Sequence, residues 1–342
     1  MRDSKKTLIT VALFVLFLAV YSFLVIRPYE NSSYATENDR EVREELAGTL
    51  DTIITGASHA EYGIDPVLMD EALGTSTYNL SGPWQTTYGT RMLLEKELER
   101  NPVKKVYLVF SEDTFWVQKD TDEIVGDVKI LPRLDGIAER AEYLWNAAAP
   151  GELPGIYQDM VNRGFTYFNA LISGEETDNV HEEYRGYDPK KRNSVALDME
   201  TAAQKKSKRK VKTAVQPHNE ENMAAVIELC KERGVEVQVI VVPVSDKAIW
   251  VWYGWDKWYD YVKEFCAKHE VRLWDFNLYK GRFELFDDKN CYRNDTHLSK
   301  GGAEIFTKLL VETIQKDAAG EDITAEFYAT YKEMKKDSPY NK

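Results

Sequence analysis

Short apolar runs rich in β-branched residues alternate with segments of helical periodicity along most of the chain, and this alternation constrains the fold more than any other feature. Such runs favour strands, and strands that are apolar on both faces are typical of buried parallel sheets. Strands separated by helices predict an α/β fold with helices on both faces of the sheet. Five segments fit strands: residues 51–55, 75–80, 103–110, 235–242 and 271–276.

The segments between these runs carry apolar residues at helical spacing. They predict helices at residues 66–73, 88–99, 220–233, 255–269 and 300–315. Residues 118–217 interrupt the rhythm and are too long for one crossover, so we expect a helical insertion there. The resulting prediction is one α/β domain over residues 51–315, with a C-terminal tail at 316–342.

The N-terminal segment 7–26 contains 20 residues and no charged side chain. A helix of that length spans about 30 Å, the thickness of the hydrocarbon core of a bilayer. Basic residues lie before it, within 1–6, and acidic residues dominate the polar stalk that follows at 27–50. The positive-inside rule therefore predicts a single-pass anchor, with residues 1–6 in the cytoplasm and the domain outside. A cleaved signal peptide is the alternative, although its apolar region is usually shorter.

The net charge of −13 argues against nucleic-acid binding, which needs a basic face. A local exception is the segment 190–212, with nine Lys or Arg. It is either a solvated loop or a surface for lipid headgroups, an acidic polymer or a partner.

The three cysteines, Cys230, Cys266 and Cys291, have no zinc-ligand spacing. No glycine-rich phosphate loop is present. We expect no cofactor and no bound metal.

Ser58 follows the first predicted strand in the small-residue turn Gly56-Ala57-Ser58. The carboxyl ends of parallel strands are where ligands bind in open α/β sheets. A serine at such a turn can expose its hydroxyl, and small neighbours let a substrate carbonyl approach. A Gly-x-Ser triplet alone is also common in turns and helix caps.

The second candidate segment, residues 294–303, lies between the last predicted strand and the last helix and reads NDTHLSKGGA. A serine hydroxyl needs a base to take its proton, and that base needs a group to orient it. His297 and Asp295 can supply both functions from one loop. Ser299 is a plausible N-cap for the helix that follows.

Taken together, the two segments resemble the SGNH (GDSL-like) hydrolase and acyltransferase superfamily, over roughly residues 51–315 without the insertion. The resemblance implies a flavodoxin-like three-layer sandwich in which Ser58 is the nucleophile, His297 the base and Asp295 its orienting group. The stretch Asn79-Leu80-Ser81-Gly82 resembles the family's glycine block. It implies an oxyanion hole formed by the backbone amides of Ser58 and Gly82.

The chain departs from the family pattern at three places. Ala57 stands where Asp is common, and the usual D-x-x-H spacing is D-x-H here. The family's Gly-x-Asn-Asp block after the third strand is replaced by residues 109–113, VFSED, which puts its side-chain oxyanion contact in doubt. The D-x-H spacing is more similar to the alginate O-acetyltransferase branch, and the anchor to the teichoic-acid D-alanyl transfer protein. These branches imply a cell-envelope polymer as substrate and a multi-pass membrane acyltransferase as partner.

The leading hypothesis is therefore an extracytoplasmic O-acyltransferase that transfers acetyl groups to an exopolysaccharide or wall polymer through an acyl-serine. An esterase with the same triad is the second hypothesis. The third is an inactive module that binds polymer or recruits a partner.

Several further residues are interpreted as structural or as lining the site. We interpret His59 as a structural or substrate-lining residue rather than the base, and Asp275 as a carboxylate that fixes a loop. The aromatic residues after the fourth strand fit packing in the core or near the membrane better than sugar binding; they are Trp250, Trp252, Tyr253, Trp255, Trp258 and Tyr259.

Overall fold

Five parallel strands form the centre of the molecule, as the sequence predicts. The structure is a computed structural model that describes residues 2–30, 39–116, 121–148, 151–173, 184–189, 211, 214–287 and 289–339. The strands are β1 (Thr52–Thr55), β2 (Thr77–Asn79), β3 (Lys105–Phe110), β4 (Glu236–Val241) and β5 (Arg272–Asp275). Their order in the sheet is β2-β1-β3-β4-β5. Each strand lies within one of the five predicted segments, so the predicted parallel sheet is confirmed.

The helices of the described residues complete the α/β architecture. In chain order they are α1 (Arg2–Glu30), α2 (Asp39–Glu45), α3 (Ser58–Gly63), α4 (Pro66–Leu73), α5 (Thr87–Arg100), α6 (Thr121–Ile130), α7 (Ile137–Ala147), α8 (Leu153–Ser173), α9 (Pro217–Glu232), α10 (Asp246–Val251), α11 (Trp255–Lys268), α12 (Arg282–Leu285), α13 (Lys300–Ala318) and α14 (Tyr331–Asp337). Short 3₁₀ helices lie at Leu131–Arg133, Phe276–Leu278 and Ile323–Glu326.

Two hydrophobic cores lie on opposite faces of the sheet. Successive side chains of a strand point to opposite faces, and on β3 Val106 and Leu108 enter the core shared with α5, α9 and α11. Tyr107 and Val109 enter the core shared with α4 and α13. The strands are therefore covered on both faces, which explains why they read as continuous apolar runs.

The strand order places a crevice beside β1. From β1 the chain first runs outward to β2 and then returns past β1 to β3, so the direction of the sheet reverses between β1 and β3. Ligands in open α/β sheets bind outside the carboxyl ends of the strands at such a reversal. The residues that follow Thr55 and Phe110 therefore flank the expected binding site.

The second half of the predicted stalk is folded against the domain. In α2, Arg43 bonds Asp39 through Nε at 2.9 Å and Glu97 of α5 through Nη1 at 2.6 Å. Arg133 bonds Asp39 from the other side, at 3.1 Å. Burial alone would raise the pKa of Asp39, but Arg133 and Arg43 hold it well below its ordinary value. This buried ion cluster fixes the chain entering the domain to the helix that follows the Gly82 loop.

Several predicted segments are described only in part. The insertion contains the helices α6, α7 and α8, and the basic residues of 205–212 lie outside the described residues. So do residues 31–38 of the stalk. The predicted tail includes α14, whose Tyr331 and Met334 are fully buried. Within the described part of the chain, no helix has the length and apolar character needed to cross a membrane.

The buried ion cluster generates a stability prediction. Arg43→Ala removes one of the two arginines that bond buried Asp39 and the cation 2.6 Å from buried Glu97, and we expect it to lower the free energy of unfolding by about 3–5 kcal/mol. Arg272→Ala, which removes a half-exposed arginine paired with Asp317, is the matched control and should cost less than about 1 kcal/mol. Urea unfolding of the full chain in detergent measures both. Equal losses for the two variants would contradict the prediction.

Candidate active site

A cavity of about 640 Å³ opens at the carboxyl ends of β1 and β3, where the strand order reverses. Its wall combines the loop after β1, the loop before α5, the loop after β3 and the loop before α13. Residues from these loops that bear on chemistry are Ser58, His59, Trp84, Glu112, Asn294 and His297.

The turn that carries Ser58 is shaped by contact with β3. A β-carbon added to Gly56 would lie 2.7 Å from the carbonyl oxygen of Val109, so only glycine allows the two backbones to approach this closely. Two residues later, Ser58 begins α3 and lines the cavity. The small-residue turn thus places the hydroxyl at the sheet edge, where the sequence predicts it.

Ser58 and His297 are brought together as predicted. Ser58 Oγ lies 2.7 Å from His297 Nε2, a hydrogen bond between residues separated by 239 positions. Burial, the adjacent His59 ring and the Arg293 cation hold the pKa of His297 well below its ordinary value of 6.5. The imidazole is therefore neutral at physiological pH, which is the state that can accept the serine proton.

The loop bearing His297 is held by bonds at both of its ends. Ser299 caps α13 by accepting a bond from the Gly302 amide at 3.3 Å, and its own amide donates to the Cys291 carbonyl at 2.9 Å. Gly302 sits so close to Cys291 that a β-carbon would lie 2.0 Å from that carbonyl oxygen. Since α13 also packs against α3, the start of each helix brings one member of the Ser58–His297 pair to the same place.

Asn294, rather than Asp295, orients the His297 ring. Asn294 Oδ1 lies 3.0 Å from His297 Nδ1. The same oxygen accepts bonds from the backbone amides of Thr296 at 3.0 Å and His297 at 2.9 Å. Amide N–H groups can only donate, so these two bonds fix which end of the Asn294 side chain faces the ring. His297 must then carry its proton on Nδ1, which leaves the lone pair of Nε2 for the Ser58 hydroxyl.

The carboxylate of Asp295 has a different environment from the one predicted. It pairs with Lys247 Nζ at 3.1 Å, and the Asp295 carbonyl accepts bonds from the backbone amide and hydroxyl of Ser245. Asp295 therefore tethers its loop to the segment after β4, and the orienting role predicted for it falls to Asn294. The signal for Asn294 was present in the sequence, since it stands at the D-x-x-H position relative to His297.

Gly82 is not among the residues that line the cavity. A β-carbon at Gly82 would meet Arg133 Nη1 at 3.0 Å, and Arg133 also bonds the Gln85 side chain at 2.6 Å and the Leu80 carbonyl at 3.2 Å. The arginine thus holds the loop whose residues Pro83 to Gln85 do line the cavity. Of the two residues predicted to donate to the oxyanion, Ser58 lines the cavity and Gly82 does not.

Asp275 fixes a loop, in agreement with its interpretation from sequence. Its side chain accepts bonds from the Asn277 amide at 3.0 Å and from the Tyr331 hydroxyl at 2.9 Å. Burial raises the pKa of Asp275 to about 6. Its contacts lie with the β5 loop and α14, outside the residues that line the cavity.

The aromatic residues after β4 mainly fill the core. Trp255 and Trp258 are fully buried, and Trp252 is buried while lining the cavity. The exposed aromatic of the cavity is Trp84, which the sequence analysis missed. It has a left-handed backbone with φ of 59°, uncommon for so large a side chain, and remains 45% exposed.

Comparisons with known proteins give structural likeness without a family assignment. No protein-family model and no curated protein matches the chain. Among solved structures the fold is similar to the psychrotrophic esterase EstA from Pseudoalteromonas sp., at 8% identity and a TM-score of 0.37, over 79% of this chain and 99% of that chain. It is also similar to a GDSL-like lipase from Bacteroides thetaiotaomicron, at 11% identity and a TM-score of 0.40, over 83% and 99%. Likenesses at these levels assign no activity to this chain.

The low pKa of His297 generates a prediction for the pH dependence of serine reactivity. An ordinary imidazole charges as pH falls through 6.5 and stops acting as a base. Because His297 stays neutral well below that value, the rate at which a fluorophosphonate labels Ser58 should show no loss centred near pH 6.5. Initial labelling rates between about pH 5 and 8 measure this, with near-UV circular dichroism as the control for folding. A midpoint near 6.5 would show that His297 titrates normally.

The contacts of Asn294 and Asp295 predict unequal effects of mutating them. Asn294→Ala removes the bond to His297 Nδ1 and should slow labelling by about 10²-fold or more. Asn294→Asp keeps an acceptor for the same three donors and adds a charge that stabilises the imidazolium, so activity should be retained or increased. Asp295→Asn is the matched control and should change the rate only a few-fold. A larger loss from Asp295→Asn than from Asn294→Ala would contradict this assignment.

Proposed function

We propose that the chain is a serine-dependent O-acyltransferase of the SGNH type that acts outside the cytoplasm on a cell-envelope polysaccharide or wall polymer. The observation that carries the proposal is the 2.7 Å hydrogen bond between Ser58 and a neutral His297 inside a cavity at the sheet edge. The resemblance of the Ser58 and His297 segments to the superfamily supports the reaction class. The acceptor and the acetyl group are supported by resemblance alone.

The reaction proceeds in two transfers. His297 Nε2 takes the proton from Ser58 Oγ, and the oxygen attacks the carbonyl carbon of the acyl donor. The tetrahedral intermediate collapses to an ester on Ser58, and His297 returns the proton to the leaving group. A hydroxyl of the polymer then attacks this ester, its proton ends on Ser58 Oγ, and the acyl group passes to the polymer.

The proposed location of the catalytic domain outside the cytoplasm rests on the N-terminal segment. We propose that residues 7–26 anchor the chain in the cell membrane with the catalytic domain outside, because the segment has no charge and is preceded by basic residues. An anchored site would meet polymer as it leaves the membrane. A multi-pass membrane acyltransferase is the proposed donor-side partner, on the strength of the branch resemblance.

Two other functions fit the same residues. An esterase needs the same Ser58–His297 contact, with water in place of the polymer hydroxyl. An inactive binding module is favoured by Asn294, since an amide stabilises the histidine cation less than a carboxylate does.

Labelling and product analysis distinguish the three functions. A serine-reactive fluorophosphonate should label the full chain in detergent, and Ser58→Ala should abolish labelling. Membranes from cells with the wild-type chain should contain acylated polymer that Ser58→Ala removes. Free acetate without acylated polymer would overturn the transferase in favour of the esterase. No labelling, with unchanged polymer acylation in Ser58→Ala, would favour the binding module.

A further inference from the structure

A second imidazole, that of His59, lines the cavity beside His297. The two rings have centroids 4.7 Å apart and an interplanar angle of 32°. His59 is only 7% exposed. Its Nε2 atom is buried and, among the described residues, has no hydrogen-bond partner. A buried polar atom of this kind costs free energy unless something else compensates it.

The group nearest to that nitrogen is the carboxylate of Glu112. Glu112 Oε2 lies 3.3 Å from His59 Nε2, in close contact although not aligned as a hydrogen bond. Both side chains are 7% exposed, and both residues line the cavity. Glu112 follows β3 and His59 follows β1, the two strands between which the strand order reverses. The pair therefore lies at the same edge of the sheet as Ser58.

An imidazole with a carboxylate at one nitrogen is the arrangement of a general base and its orienting group. A proton on Nε2, the ring nitrogen next to Glu112, leaves the lone pair on Nδ1 of His59. Burial lowers the pKa of His59 to about 4, so the ring is neutral at physiological pH and able to accept a proton.

The proposed reaction has a second step in which a base acts. Once Ser58 carries the acyl ester, the Ser58–His297 hydrogen bond no longer exists, and the acceptor hydroxyl must lose its proton to one of the two neutral imidazoles that line the cavity. We propose that His59, oriented by Glu112, is the general base for the acceptor hydroxyl, while His297 serves Ser58. This inference rests on the proposed acyl transfer and assigns its second half to a separate pair of residues.

No proton is gained or lost overall in this second step. The acceptor O–H bond breaks and its proton moves to His59, while the acceptor oxygen bonds to the acyl carbon. The bond between that carbon and Ser58 Oγ then breaks, and the proton held on His59 returns to Ser58 Oγ. His59 and Glu112 end the turnover unchanged, and no further reactant is needed.

The test separates the two half-reactions in the full chain. Fluorophosphonate labelling and the burst of p-nitrophenol from p-nitrophenyl acetate report attack by Ser58. The steady rate after the burst, with methyl glucoside as a soluble acceptor, reports transfer. In His59→Gln and in Glu112→Gln, labelling and burst should stay within about 3-fold of wild type. Transfer should fall by about 10²-fold, the usual contribution of a general base.

Two further readouts separate a base from a structural residue. Without its base, transfer in His59→Gln should become dependent on hydroxide and rise with pH where the wild type is flat. Added imidazole should restore transfer in His59→Ala, because the cavity has room for the small molecule. Asp113→Asn is the control for losing one carboxylate at the cavity and should leave both half-reactions unchanged.

The outcomes that overturn the inference are distinct from failure of the proposed function. Equal losses of labelling and transfer in both His59→Gln and Glu112→Gln would show that the pair only supports His297. Unchanged transfer in both variants would show that the pair is not used. Absence of labelling in the wild type, by contrast, would refute the proposed function itself.

Discussion

The hydrogen bond between Ser58 and His297 joins residues 239 positions apart, and the chemistry proposed for the cavity depends on it. Three features of the fold make the contact. The tight approach of Gly56 to Val109 sets the turn after β1. The packing of α3 against α13 brings their first turns together. The bond network around Ser299 then fixes the loop that presents the imidazole. Loss of any one of these would separate the hydroxyl from its base.

Charge in the site is arranged around neutral imidazoles. His297 is oriented by an amide rather than a carboxylate, and the pKa values of both His297 and His59 lie below the ordinary value. Neither nearby carboxylate contacts His297, since Asp295 pairs with Lys247 and Glu112 lies beside His59. An imidazole of low pKa is unprotonated and available as a base at neutral pH, but it holds a transferred proton weakly. This suits a reaction in which each proton is passed on within the same step.

Local patterns were sufficient to predict the strands, the main helices and the meeting of Ser58 with His297. Apolar periodicity is a property of short segments, and the segments that carry Ser58 and His297 follow strands whose carboxyl ends share one edge of the sheet. Local patterns did not predict which of two adjacent residues, Asn294 or Asp295, faces the His297 ring, because contacts with residues distant in sequence determine this. Asn294 faces the ring because Ser245 and Lys247 hold Asp295. Likewise, the docking of α2 depends on Glu97 and Arg133, which are remote in sequence.

The most direct measurement of the central claim is to trap the covalent intermediate. The full chain is incubated with an activated acetyl ester, quenched in acid, and digested for mass spectrometry. The account predicts one acetyl group on the peptide containing Ser58, present in wild type and enriched when His59 is changed to Gln. An active protein whose acetyl group is found on another residue, or that never carries one, would contradict it.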